Sequence, residues 1–246
     1  MDEIIQNPMN DVAIAQGSKN RAFFLQSKNF LHRYGLEKAT ISPSKLRFDT
    51  TLTSTAVTNI TFSPIATDNS NIANVNTNVL LAQSDVFLVW RMGFFLGKQV
   101  SSSNAKSVLN TFPNSAIFTT ANESANLQGI YAGTFQTLIN TTQIVPTMAM
   151  EQFNFVGLAQ ATPAGTPPIA ASSFEWDVVM HEVQPNPVLF GNMRTQMTVQ
   201  LPEALVLGGY ASGVNFLSYI AEGIKISGVS QNIVAQILKD LYKIEG

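Results

Sequence analysis

DVFLVWRMGFFL, residues 85–96, carries apolar side chains at both odd and even positions. Successive side chains of a strand point to opposite faces of the sheet, so this segment needs an apolar cover on both of its faces. That pattern predicts the central strand of a β-sandwich. The run is too short to span a bilayer and contains Arg91, so we do not expect it to cross a membrane.

Strand patterns continue on both sides of this segment. KLRFDTTLTSTAVTNITFS, residues 45–63, alternates and is rich in Thr, which favours strands. Further strand-like segments lie towards the C-terminus: SAIFTT, GTFQTLIN, QFNFVGL, SSFEWDVVMHEV, MRTQMTVQLP and NFLSYIAEGIKIS. Turn-forming stretches rich in Asn, Ser, Gly and Pro separate them. We therefore predict a mainly β chain with eight or nine strands over residues 48–229, arranged as an antiparallel β-sandwich.

One Pro-rich stretch, ATPAGTPPIAASS at residues 161–173, has two interpretations. It is either a linker between two domains or a long loop within a single domain. We favour the loop, because the strand patterning is the same on both sides of the stretch.

Charge is scarce in this chain. Charged residues make up 12% of the sequence, against about 25% in ordinary soluble domains. Neutral polar side chains replace them, with 21 Asn, 21 Thr, 20 Ser and 15 Gln residues. Because charge normally keeps protein molecules apart, we expect the chain to bury much of its exterior against partners, including other copies of itself.

Basic residues are concentrated near the start of the chain. Residues 15–47 contain seven of the 14 Lys and Arg residues but a single acidic residue, Glu37, whereas residues 107–193 contain no Lys or Arg. We therefore treat residues 1–47 as an N-terminal arm that is separate from the β domain.

The arm contains a predicted amphipathic helix over residues 19–34, with Ser18 as its N-cap and Gly35 as its C-terminal stop. At about 100° per residue, five large apolar side chains fall on one face and are candidates for contact with a neighbouring subunit: Phe23, Phe24, Phe30, Leu31 and Tyr34. Four basic residues at the rim of that face are candidates for weak contact with the nucleic acid of a genome or another acidic surface: Lys19, Arg21, Lys28 and Arg33. We favour packing against protein, because a nucleic-acid arm usually has denser Lys and Arg and a membrane-surface helix has a larger cationic face.

SQNIVAQILKDLYKIEG, residues 230–246, predicts a C-terminal amphipathic helix with Ser230 as its N-cap. Its apolar residues follow helical spacing, and Ile233, Ile237 and Leu241 are candidates for subunit contact. The helix packs either on its own domain or on a neighbouring subunit, and the first interpretation is the simpler one.

No stretch of the sequence identifies an enzyme. The chain has no cysteine, which excludes thiolate zinc sites and cysteine nucleophiles, and it lacks the motifs of nucleotide-binding loops, zinc proteases and serine hydrolases. Alternation places Glu175, Asp177 and His181 on one face of a predicted strand. His181 would lie roughly 13 Å beyond Asp177, at about 3.3 Å per residue, which is too far for one metal ion to bind both. We predict no catalytic residue, metal or cofactor, and a solvated polar face here.

The order of these elements resembles that of a known class of viral proteins. A basic arm, a β domain rich in Thr and Asn, and a terminal helix resemble the jelly-roll major capsid proteins of tailless bacteriophages. Three stretches carry the resemblance, which covers residues 45–229: KLRFDTTLTSTAVTNITFS, NVLLAQSDVFLVWRMGFFLG and RTQMTVQLPEALVLGG. It implies a single jelly roll of two four-stranded sheets, packed face to face, which self-assembles into capsomers and a shell around the genome. It also implies a place in the virion, contact with other virion proteins and synthesis in the host cytoplasm.

Other functions stay open at this point. A β-sandwich adhesin or lectin-like module would need export, whereas MDEIIQNPMN, residues 1–10, is acidic and lacks the pattern of a signal peptide. A hydrolase would use Glu175 and Asp177 as its carboxylate pair. A minor virion component, such as a spike or vertex protein, fits the same composition as a major coat subunit.

Overall fold

A computed structural model describes these residues of the chain: 23, 25–62, 81–100, 109–155, 179–211 and 213–244. The chain divides into two compact units, Met1–Thr40 and Ile41–Gly246. The Pro-rich stretch at residues 161–173 lies outside the described residues, so its two interpretations stay open.

The first unit contains helix α1, residues 25–33. The chain leaves the helix at Gly35, which has a φ of 63° and stands where the sequence predicts the stop. The Gly35 amide donates to the His32 carbonyl, and the Leu36 amide donates to the Leu31 carbonyl at 2.8 Å. These two bonds form a Schellman motif, which favours glycine at the position with positive φ. That this unit acts as an arm stays a prediction.

The described part of the chain is mainly β, as the alternating segments predict, and its strands form two antiparallel sheets. Nine strands have these bounds: β1 Thr40–Thr51, β2 Val57–Phe62, β3 Val86–Val100, β4 Thr134–Ile139, β5 Thr142–Ala149, β6 His181–Glu182, β7 Val188–Phe190, β8 Thr195–Leu205 and β9 Gly213–Ser227. Two further helices are α2, Glu123–Gln128, and α3, Gln231–Tyr242. Short 3₁₀ segments occupy Gly129–Ala132 and Met150–Phe153.

The two sheets differ in which strands they contain. Sheet A has the order β1-β9-β3-β6, and β7 also pairs with β3. Because β9 pairs with β3 along nearly its whole length, β6 and β7 share the opposite edge of β3, one after the other. Sheet B has the order β2-β8-β4-β5. Strands that are consecutive in the chain therefore often belong to different sheets.

Strand β3 lies inside sheet A and is covered on both faces, as predicted from residues 85–96. On one face, the Phe94 ring contacts four aromatic rings that come from sheet B, from β9 and from the second 3₁₀ segment: Phe62, Phe135, Phe153 and Tyr219. On the other face, Phe95 is fully buried in a cluster with Val179, Met180 and Ile220. We call the Phe94 side of each sheet its inner face and the opposite side its outer face.

Two predicted strands are wrong. Residues 115–120, SAIFTT, form turns, and the start of QFNFVGL lies in the 3₁₀ segment Met150–Phe153. Phe118 and Phe153 are each only 1% exposed. The apolar residues in these segments correctly indicate burial, but a short apolar run does not distinguish a strand from a buried turn.

Strand β1 begins at Thr40, inside the segment 1–47 that the sequence assigns to the arm. Leu46 and Phe48 are buried, and the Phe48 ring stacks on Tyr219 of the neighbouring strand β9. The residues from Thr40 onwards therefore belong to sheet A, because their alternation continues that of the strand.

Candidate assembly surfaces and a buried ion pair

Several residues that the sequence singles out lie outside the described residues: Lys19, Arg21, Phe24, Glu175 and Asp177. Of the other apolar candidates in the first unit, Phe23 and Tyr34 are buried, whereas Phe30 and Leu31 are half-buried. Ser27 lies on the same helical face and is buried as well, with its hydroxyl donating to the Phe23 carbonyl at 2.8 Å. Phe23, Ser27 and Tyr34 are thus buried together in the described part of this unit, and the Ser27 hydroxyl is one that the sequence pattern does not predict. That this face contacts a neighbouring subunit stays a prediction.

Helix α3 packs on its own chain. Val234, Ile237 and Leu238 are buried, and the Tyr242 hydroxyl accepts a hydrogen bond from the Val188 amide of β7 at 2.8 Å. Ile237 is 0% exposed, so its assignment to a subunit contact is wrong, since the chain's own core covers it. Leu241 is 39% exposed and remains a candidate, as does the half-buried Ile233.

The basic residues near the start of the chain do not all form a basic surface. Lys28 and Arg33 of α1 are exposed, and the Arg33 guanidinium lies 5.5 Å from the centre of the Tyr34 ring. Lys45 and Arg47, in contrast, lie on β1 and form ion pairs with Glu222 and Asp49. The excess of positive charge that the sequence shows over residues 15–47 is therefore partly neutralised by acidic residues of the second unit.

These ion pairs belong to a charged network on the outer face of sheet A. Glu222 of β9 binds both Lys45 of β1 and Arg91 of β3, with the Arg91 Nε 2.5 Å from a Glu222 carboxylate oxygen. Asp49 accepts two hydrogen bonds from Arg47, at 2.9 and 3.0 Å, and one from the Ser218 hydroxyl at 2.6 Å. The network therefore connects three adjacent strands, and each of its three cations lies beside a carboxylate.

The outer face of sheet B has a different composition. Phe135 of β4 points to the inner aromatic cluster, so its neighbours Thr134 and Gln136 point outwards. Residues that pair with them on β8, and the next partners on β2, share this outer face. We call it the neutral sheet face, and it consists of these residues: Asn59, Thr61, Thr134, Gln136, Leu138, Gln196, Thr198 and Gln200. None of the eight is charged.

A buried ion pair lies where the connection between β3 and β4 returns to the sheets. The Lys98 Nζ of β3 is 2.9 Å from both carboxylate oxygens of Glu123 in α2, and these side chains are 4% and 0% exposed. The Asn215 amide of β9 also donates to Glu123 at 2.9 Å. One cluster therefore connects α2 with two strands of sheet A.

The same cluster holds the backbone of the connection. Lys98 donates to the Ile117 carbonyl at 3.0 Å, and Glu123 accepts a hydrogen bond from the Thr120 amide at 3.0 Å. Strand and motif patterns in the sequence do not predict this site. Its signal is present, since Glu123 is the single acidic residue between Asp85 and Glu151, and isolated charges in apolar surroundings are usually paired when buried.

Burial by itself raises the pKa of the Glu123 carboxyl, but hydrogen bonds from Lys98, Asn215 and the Thr120 amide outweigh it and hold the pKa below its ordinary value of 4.5. Lowering of the pKa in the folded chain stabilises that chain above the pKa of the unfolded state, and this stabilisation is lost as the pH falls through the folded pKa. We expect the difference in unfolding free energy between the parent chain and Glu123→Gln to be constant near neutral pH and to shrink below about pH 4.5. Urea denaturation of both proteins from pH 7 to pH 3 measures it, and a difference that grows on acidification would contradict the pairing.

The described residues contain no group of three or more His, Cys, Asp and Glu side chains arranged to hold a metal ion. Among the helices in the described ranges, none has the length and apolar character needed to cross a membrane. His181, which the sequence predicts on the same strand face as Glu175 and Asp177, packs its ring against Phe153, with the two ring centres 4.9 Å apart.

Comparisons with protein-family models, with curated proteins and with solved structures give no match to this chain.

Proposed function

We propose that this chain is a structural virion protein, a major capsid subunit with a jelly-roll fold that self-assembles into capsomers and a shell. The proposal rests chiefly on the strand order, and the scarcity of surface charge agrees with it. The partners in this proposal are other copies of the chain and other virion proteins. The chain would be synthesised in the host cytoplasm and reside in the virion.

The strand order supports the jelly roll through its nested pairing. The first strand pairs with the last, β2 pairs with β8, β3 with β6 and β7, and β4 with β5. A long antiparallel ribbon that is rolled up has this pattern, in which each strand pairs with its counterpart counted from the other end. If β6 and β7 count as one interrupted strand, the described strands number eight, in two sheets of four, which is the number expected for a jelly roll.

A jelly roll alone does not specify a function, because capsid proteins, lectins and cupins share it. Of the functions of these three protein classes, the neutral sheet face favours the assembly of a capsid protein. Hydroxyl and amide side chains form hydrogen bonds across a contact without the large cost of removing a charge from water. Such a face lets many modest contacts, repeated by symmetry, add up to a closed particle.

The test measures the mass of the purified chain by light scattering and images the same sample by negative-stain electron microscopy. We expect regular particles or discrete small oligomers, because a weakly charged exterior favours burial against other copies of the chain. A monomer of 26.7 kDa at every protein concentration and salt concentration would contradict the proposal.

A paired charge substitution makes the test specific to the neutral sheet face. Gln136→Lys with Gln196→Lys places two charges on this face, and we expect the variant to remain folded but to assemble at least about tenfold more weakly, since about 1.4 kcal/mol suffices for that factor. Gln231→Lys with Gln236→Lys adds the same two charges to the exposed side of α3, and this matched control should assemble normally. Equal assembly of all three proteins would remove the neutral sheet face from the proposal.

Truncation tests the first unit. Because β1 begins at Thr40, deletion should stop at residue 39, since removal of residues 1–47 would also remove buried strand residues. The truncated chain is expected to fold and to fail to form regular particles. Glu175 and Asp177, on which the hydrolase alternative depends, lie outside the described residues.

A further inference from the structure

An open depression of about 550 Å³ lies on the connection between β3 and β4, around α2. Its described lining consists of Pro113, Ser115, Phe118, Thr119, Thr120, Asn122, Ser124, Ala125 and Gln128. The depression lies within the second unit and is separate from the neutral sheet face. Neither the coat proposal nor the ion-pair cluster assigns a role to it.

The lining has one chemical character. Six of its side chains are hydroxyls or carboxamides, which both donate and accept hydrogen bonds, and none of the described lining residues is charged. Of the three apolar lining residues, Ala125 is exposed, whereas Pro113 is buried and Phe118 is only 1% exposed. Neutral polar groups of this kind match an uncharged ligand that has many hydroxyls. A charged ligand would meet no opposite charge among the described lining residues.

The backbone that carries these polar side chains is fixed by hydrogen bonds to buried side chains. Lys98 and Glu123 bind the Ile117 carbonyl and the Thr120 amide. The Ser124 hydroxyl donates to the Pro113 carbonyl at 2.7 Å, and so connects α2 to the start of the lining segment. A loop that is fixed before binding loses less conformational freedom when a ligand arrives, which favours a weakly bound neutral ligand.

We propose that this depression binds an uncharged saccharide. The exposed Asn122 and Gln128 carboxamides and the Ser115 and Thr119 hydroxyls form hydrogen bonds to the sugar hydroxyls. The exposed Ala125 methyl group contacts the C–H face of the sugar ring. The saccharide is either a free sugar or a glycan displayed on a cell surface, which share this chemistry.

The experiment is an NMR titration of the full chain, or of the assembled particle by ligand-observed NMR, with glucose, galactose, mannose and N-acetylglucosamine. We expect a dissociation constant on the order of 1 mM and, where amide signals are resolved, shifts that concentrate in residues 113–128. Neutral oligosaccharides of the same sugars separate the two sources, since tighter binding of an oligosaccharide indicates a displayed glycan and equal binding indicates a free sugar. Failure of all these saccharides to bind would overturn the proposal.

Two variants localise the site. Ala125→Trp fills the depression from an exposed helical position and should weaken binding at least tenfold. Gln236→Ala removes an exposed carboxamide from α3, outside both this depression and the neutral sheet face, and should leave binding unchanged. Normal binding by the Trp variant would overturn the proposal, and so would preferential binding of a sulfated or sialylated sugar. Because assembly is measured separately, failure of this site leaves the coat proposal intact.

Discussion

Replacement of Phe94 by alanine is expected to lower the free energy of unfolding by about 3–5 kcal/mol, within the range for removal of a large core side chain. Phe94 is 1% exposed, and its ring contacts four other aromatic rings at centroid distances between 4.8 and 6.1 Å. These rings belong to both sheets. The substitution therefore leaves a cavity where sheet A meets sheet B, and the surrounding strands can close it only partly.

Urea denaturation at neutral pH measures this effect. Phe155→Ala is the matched control, because it removes the same side chain from a position that is 41% exposed, and a surface substitution usually changes stability by less than about 0.5 kcal/mol. Similar losses for the two variants would show that the Phe94 cluster does not hold the sheets together.

Lys98→Met is expected to cost about 3–5 kcal/mol, because it leaves the Glu123 carboxylate buried without its cation. The effect has a distinct pH dependence. Burial raises the pKa of Glu123, and the hydrogen bond from Lys98 is the largest of the contributions that lower it. Without Lys98, the carboxyl therefore takes up a proton more readily. The deficit of the variant relative to the parent chain should therefore be largest near neutral pH and become smaller on acidification.

A double-mutant cycle separates the ion pair from its surroundings. Glu123→Gln in the Lys98→Met background removes the unpaired charge, so the double variant should be more stable than the sum of the two single effects predicts, by about 0.5–3 kcal/mol. Lys225→Met is the control for loss of a Lys, since its Nζ lies 3.9 Å from Asp85 and its side chain is 34% exposed. Additive single effects would contradict a direct coupling between Lys98 and Glu123.

Local patterns predicted some elements well, because side-chain periodicity follows directly from the geometry of strands and helices. The apolar character of residues 85–96 identified a strand that needs cover on both faces, and that strand lies inside sheet A. Gly35 marked the end of α1 because a position with positive φ favours glycine. In α3, the spacing of Val234, Ile237 and Leu238 predicted a buried face.

The same patterns could not predict which partner covers an apolar face. The spacing of Ile237 is the same whether the helix packs on its own chain or on a neighbour, and the contact with β7 decided the matter. Residues 115–120 had the apolar content of a strand, yet they form turns next to the Lys98 and Glu123 cluster.

The sequence by itself determined the β-rich class, the central strand, the C-terminal end of α1, the start of α3 and the scarcity of charge, because each of these depends on residues that are near one another in the chain. The tertiary structure alone decided which charges are neutralised and which faces stay open. Lys45 and Arg91 meet Glu222, and Lys98 meets Glu123 and Asn215, only after distant strands have paired. A local sequence pattern cannot predict these contacts, because strand order rather than sequence spacing brings the partners together.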